Sequence, residues 1–195
     1  MDLRLTDEQE QLVEAFSGLF AKQSSPEQVR AAEPVGFDAD LWSRLTELGV
    51  VAMAVGEDAG GWGASLLDLT LVAEQLGRAV APAPIVEAQV AARLLARLGG
   101  GPAADALATA VAGERIVTLA LHPTRGDQAR LVPAAAVADD VIVRHGDRLL
   151  LVPGAGRDAH VENLGSMPVA DVAVPADAVE LASGADAAAA LDRAL

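Results

Sequence analysis

The most constraining stretch is Val55 to Ala79, VGEDAGGWGASLLDLTLVAEQLGRA, where a glycine-rich turn runs directly into a helical pattern. Gly60, Gly61 and Gly63 free the backbone for a tight turn. Ser65 stands at an N-cap position with Asp68 three residues on, so their oxygens can accept amide protons that a helix start leaves orphaned. Asp68 also suits the positive end of the helix dipole. Leu66, Leu69, Val72, Ala73 and Leu76 recur at helical spacing and predict one buried face. Gly77 is the expected stop, with Arg78 near the negative end.

The flanking sequence extends the helical pattern. Thr6 and Gln9 form a capping box, and Leu12, Val13, Phe16, Leu19 and Phe20 make one stripe, predicting a helix over 7–23. Pro26 opens a short helix to Arg30 or Ala31. Asp38 caps another, with Leu41, Trp42, Leu45 and Leu48 facing inward and Gly49 ending it. The alternating Pro82 and Pro84 force an extended connector before a helix over about 85–98. Gly99-Gly100-Gly101-Pro102 breaks it, and an alanine-rich helix follows over 103–112.

At Gly113 the texture changes to short β-branched runs at 115–121, 141–144, 149–152 and 169–174, with His145-Gly146-Asp147 as a hairpin turn. Helical spacing returns from Ala185. The expected class is α+β with more than one domain. An amino-terminal helical domain (1–112) is followed by a small antiparallel β-barrel or sandwich (113–180), and 181–195 starts a further helix.

These features resemble the acyl-CoA dehydrogenase family. Gly60-Gly61-Trp62-Gly63, then Asp68, then Glu74-Gln75-Leu76-Gly77-Arg78-Ala79 follow the order of its amino-terminal domain. Gly113-Glu114-Arg115 is similar to the junction into its middle β domain, and Glu162-Asn163-Leu164 with Asp171-Val172 to that domain's end. The resemblance implies FAD-dependent α,β-desaturation of an acyl thioester carried on CoA or a carrier protein. It also implies homo- or hetero-oligomers with acyl-CoA dehydrogenase subunits. The family's third domain, a four-helix bundle, supplies a glutamate base and much of the subunit interface, and nothing in these residues corresponds to it.

The family's flavin segment, aromatic-x-x-Thr-Glu-Pro-x-x-Gly-Ser-Asp, falls on Leu119-Ala120-Leu121-His122-Pro123-Thr124-Arg125-Gly126-Asp127. Leu119, Leu121 and His122 are therefore the candidate cofactor-binding positions. Leu121 replaces the threonine and His122 the glutamate, so backbone amides would have to replace lost side-chain donors. Trp62 is the candidate substrate contact, either a lip of the acyl cleft or a surface plug. No catalytic residue is assigned, and the expectation is a truncated or degenerate chain inactive alone; the alternative is a non-catalytic scaffold or partner subunit of a hetero-oligomeric acyl-CoA dehydrogenase.

Other chemistry is disfavoured. The formal net charge of -14 repels nucleic acid and anionic membrane surfaces. There is no cysteine, and His122, His145 and His160 lack metal-ligand spacing, so no metal site is expected. Glu57-Asp58 reads as a solvated pair. The start MDLRLTDEQEQ lacks a signal-peptide core, and a cytoplasmic location is expected.

Overall fold

The computed structural model describes residues 4–154, 156–157 and 159–194, which excludes the first three residues and Leu195. Helices α1 (Asp7–Gln23), α2 (Pro26–Ala32), α3 (Ala39–Glu47), α4 (Leu66–Arg78), α5 (Ile85–Leu98) and α6 (Gly101–Val111) precede the strands. Strands β1 (Val117–Leu119), β2 (Gln128–Val132), β3 (Asp140–His145), β4 (Arg148–Pro153), β5 (Ala170–Ala173) and β6 (Val179–Ser183) follow, and α7 (Gly184–Ala194) closes the described chain.

Capping boxes start three helices: Thr6–Gln9 at α1, Ser25–Gln28 at α2 and Ser65–Asp68 at α4. Each satisfies two amide donors that would otherwise be left without partners. Gln9 Nε2 also donates to Asp68 Oδ1 at 2.9 Å, and Ser24 Oγ donates to the Ala79 carbonyl at 3.2 Å. The first bond ties the starts of α1 and α4, the second their ends, so these helices run parallel. Phe16 and Phe20 of α1 fill the space beside α4, with ring centroids 6.1 Å apart.

Helix α5 is the centre of the molecule. It packs on α6, α7, β1 and the 3-10 turn Ala52–Ala54. Ala88, Ala91 and Ala92 are buried beside Leu94 and Leu95, and their small side chains allow close approach of neighbouring elements. Buried Gln89 donates to the Val50 carbonyl at 2.8 Å, which pins the apolar connector before the glycine turn. One hydrophobic core runs from Phe16 through α5 to Val141, Leu149 and Leu191.

The strands form a four-stranded sheet, ordered β1-β3-β4-β6, and a separate pair, β2-β5. The α+β class is as expected, but of the barrel or sandwich alternatives the closed barrel does not form: the strands fall into two separate sheets, and β1 lies parallel to β3 rather than antiparallel. The parallel pairing follows from the chain between β1 and β3, which leaves for β2 and returns rather than turning back as a hairpin. The β3–β4 hairpin does turn at Gly146-Asp147, with Gly146 at φ 65°. β6 extends past the expected boundary at 180.

An ionic brace fixes the entry into β1. Arg115 Nε and Nη2 meet Asp140 Oδ2 and Oδ1 at 2.5 and 2.8 Å, and Asp140 is only 4% exposed. Asp139 accepts from the Ile116 amide at 2.7 Å and pairs with Arg157. The hydrogen bond to Asp140 raises the Arg115 pKa further.

Two expected faces differ in detail. Leu66 and Leu48 are half or more exposed, and the buried face of α4 is Leu69, Leu71, Val72 and Gln75. Leu66 occupies the first helical position, still outside the contact with α1. Leu48 is the residue after α3, where the backbone has already left helical geometry (ψ 1°).

Candidate ligand groove

The glycine turn packs back on the buried connector. Amides of Trp62, Gly63 and Ala64 donate to carbonyls of Ala52, Val55 and Met53 at 3.0, 2.8 and 3.1 Å. A Cβ on Gly61 would stand 2.1 Å from the Val55 carbonyl oxygen, so glycine is required by close approach. The Trp62 ring lies over Gly49, whose added Cβ would come within 2.6 Å of it, and 54% of Trp62 remains exposed. Trp62 thus covers the end of α3 and lines neither of the two depressions described below.

Leu119 is buried in β1, so its side chain is sealed in the core. Leu121 is 49% exposed and His122 is exposed just beyond the strand. The Ala120 amide bonds the Ile142 carbonyl and the Thr124 amide the Arg144 carbonyl; the Leu121 and His122 amides between them have no acceptor among the described residues. The side chains here do not fit the polar edge of a flavin, because leucine offers no donor. The two backbone amides do fit such an edge. Behind this turn, Thr124 Oγ1 and His145 Nδ1 lie 3.0 Å apart, which anchors the turn to the end of β3. His160 is engaged with the Met167 carbonyl at 3.3 Å. No cluster of three or more His, Cys, Asp or Glu among the described residues could hold a metal.

A ligand-sized depression lies elsewhere, between α2, the α4–α5 connector and the loop 164–168. Its volume is about 560 Å³, within the range of small-ligand sites. Val29 and Ala32 come from α2, Leu76 from α4, Val80–Pro84 from the connector, Val86 and Glu87 from α5, and Leu164–Pro168 from the loop. A second depression of about 500 Å³ on the other side of α2 is more polar, with Gln28, Asp38, Asp40 and Arg44 at its walls.

The walls of the first groove are held by particular residues. Asn163 fastens the loop: its Oδ1 accepts from the Gly165 and Met167 amides at 3.1 and 3.0 Å, and its Nδ2 donates to the Met167 carbonyl at 2.8 Å. Leu164 is therefore presented fully exposed by an ordered loop. Gly36 (φ +68°) passes so near this loop that a Cβ would sit 2.0 Å from the Ser166 carbonyl oxygen. The Asp38 amide donates to the Pro82 carbonyl at 2.9 Å, which ties the connector to the start of α3. Val80 and Ser166, both lining residues, take positive φ of 48°. A β-branched residue there is a true outlier, and such strain gathers at binding sites. Burial pushes the Glu87 carboxyl above the usual carboxylate range, partly offset by a bond from its own amide.

Residues 6–101 match the family model for the acyl-CoA dehydrogenase N-terminal domain. Over 148 residues the chain is 35% identical to acyl-CoA dehydrogenase IpdE2 of Mycolicibacterium smegmatis, covering 74% of this chain and 45% of that protein. The chain belongs to the acyl-CoA dehydrogenase family. Acyl-CoA dehydrogenase IpdE2 of Mycobacterium tuberculosis is 36% identical over 135 residues, covering 66% of this chain and 42% of that one. The chain thus spans about half the length of the curated relatives it matches. Among solved structures, the ChsE4-ChsE5 complex of Mycobacterium tuberculosis superposes over all of this chain and 62% of its own, with a TM-score of 0.79 at 24% identity. The Tcur3481-Tcur3483 steroid ACAD superposes over 96% of this chain and 60% of its own, with a TM-score of 0.77 at 26% identity. For this acyl-CoA dehydrogenase family member, the groove is a feature that sequence reasoning missed. Its available signal was the Pro82–Pro84 connector flanked by aliphatic Val80 and Val86.

Proposed function

We propose that this chain is the acyl-binding subunit of a heteromeric acyl-CoA dehydrogenase, and that the groove receives the far end of the acyl group of a thioester. The groove carries this reading: a ligand-sized apolar depression with strained backbone on two of its walls. The ChsE4-ChsE5 neighbour is a complex of two named chains and supports a two-chain assembly. The steroid ACAD neighbour supports a bulky acyl group.

In this reading FAD is shared. FAD, when bound, accepts the hydride in α,β-desaturation. Leu121 and His122 offer it only backbone N–H groups, so a second polypeptide or further residues complete the flavin edge and supply the base. The residues of this chain bind the acyl end and exclude water from it with Val80, Leu164 and Met167. A thioester on CoA or on a carrier protein meets these requirements equally, and homo-oligomers are disfavoured because two copies would duplicate the groove without adding donors.

The test is a visible absorbance spectrum of the purified chain after incubation with FAD and desalting. The reading predicts no retained flavin with the chain alone and retained flavin after mixing with a catalytic acyl-CoA dehydrogenase partner chain. Full flavin occupancy in the lone chain would refute the shared site. A partner whose flavin content and turnover are unaltered by this chain would favour a scaffold role.

A further inference from the structure

The groove has an unusual chemical make-up for a pocket in an acidic protein. Aliphatic side chains dominate it: Val29, Leu76, Val80, Val86, Leu164 and Met167. The lining holds no lysine, arginine or histidine; its ionisable side chains are Glu33 at the end of α2 and Glu87 in the first turn of α5. Glu33 is exposed at the rim, whereas Glu87 is part-buried. An anionic ligand group would therefore meet aliphatic walls and the Glu33 carboxylate at the rim with no counter-ion, and would lose its own water as well. An ammonium group would need Glu87 ionised amid hydrocarbon, the form that this setting penalises. A neutral oxygen faces neither cost. A carboxylic acid donates to a carbonyl, and either form of the carboxyl accepts from a hydroxyl.

We propose that the groove takes an uncharged hydrocarbon body bearing a hydroxyl or keto oxygen, and that Glu87 is the specificity-determining side chain that bonds this oxygen. The proposal rests on the reading that the groove receives the far end of an acyl group. It goes further in selecting against acyl groups that end in a carboxylate. Aliphatic walls supply most of the affinity, which falls with any ligand whose end is charged. Glu87 supplies the discrimination, since one side chain in an apolar setting decides whether a polar ligand atom is left unpaired.

The experiment uses the full 195-residue chain and three probes on one skeleton: 4-cyclohexylcyclohexanol, the matching amine and the matching carboxylate. Dissociation constants are measured at neutral pH by ligand-observed NMR titration. The expected result is an alcohol bound about tenfold more tightly than either charged probe, the size of effect one hydrogen bond in an apolar site gives. Glu87→Leu should weaken the alcohol about tenfold. Glu87→Gln should keep it, because an amide both donates and accepts. Tightest binding of the amine or carboxylate, or a Glu87→Leu variant that binds the alcohol as well as the parent does, would overturn the proposal. Equal binding of all three probes overturns it while leaving the acyl-groove reading intact. Failure of every probe to bind overturns both.

Discussion

Replacing Gly36 by alanine tests how the groove is built. Gly36 sits at φ +68°, and an added Cβ would stand 2.0 Å from the Ser166 carbonyl oxygen and 2.9 Å from Pro168 Cδ. The left-handed backbone costs an L-residue about 1–2 kcal/mol. The clash is with backbone, which cannot swing aside as a side-chain tip can, and overpacking of this kind costs about 1–3 kcal/mol. Together the loss is roughly 2–5 kcal/mol, or a fall in Tm of roughly 4–20 °C for a chain of this length. Gly18 of α1 provides the contrast: it has no atom within 4 Å of an added Cβ and ordinary helical geometry. Gly18→Ala should stabilise by about 0.5–1 kcal/mol through helix propensity alone. Circular dichroism melts of the two variants, with the parent alongside, measure the difference. A Gly36→Ala protein that melts with the parent would show that the residues after α2 do not press on the 164–168 loop, and the groove as described would fail with it.

Three further outcomes are expected. Arg115→Met leaves the buried Asp140 carboxylate without its partner and, with Arg115 itself 41% exposed, should cost about 1–3 kcal/mol in urea unfolding; the double variant with Asp140→Leu should recover much of it. Hydrogen bonds from Ser65, then Gln9, hold the Asp68 carboxyl below its ordinary 3.8. Its contribution is present above that value and is lost as pH falls through the lower folded value, so Asp68→Asn should flatten the acid limb of a stability–pH curve. Glu87 has the opposite sign: its folded pKa lies above the ordinary 4.5 through burial. Stability falls as pH rises from there through the folded value, so Glu87→Gln should raise Tm at neutral pH and leave it nearly unchanged in acid.

The helices were legible because their signals are local. Thr6 with Gln9 and the Phe16–Phe20 stripe specify α1, and the Pro82–Pro84 connector and Gly99 bracket α5, all within one segment of chain. The strands were less so. β2 holds Leu131 at φ 52° in a bulge, with no glycine to announce it, and β6 carries a charged, half-exposed sequence, VELAS. β1 was legible as a strand but not as a parallel one, since pairing partners are set by where the intervening chain travels. The groove was the least visible. Its walls come from residues 29–36, 76–87 and 164–168, and its strain falls on Val80 and Ser166, whose side chains give no sign of left-handed backbone. Trp62 drew attention as a large ring between glycines, yet its ring packs over Gly49. Leu121 and His122 departed from the family pattern in sequence, and the structure leaves the same two residues with exposed side chains and free amides.

The central claim is that the acyl end of a thioester lies between the α4–α5 connector and the 164–168 loop. Photolabelling tests it most directly, with an acyl-CoA that carries a diazirine at the far end of its acyl group, followed by peptide mapping. The account predicts labels within 80–87 and 164–168, reduced by excess 4-cyclohexylcyclohexanol. Labels at Trp62 and the glycine turn, with the groove unmarked, would contradict it.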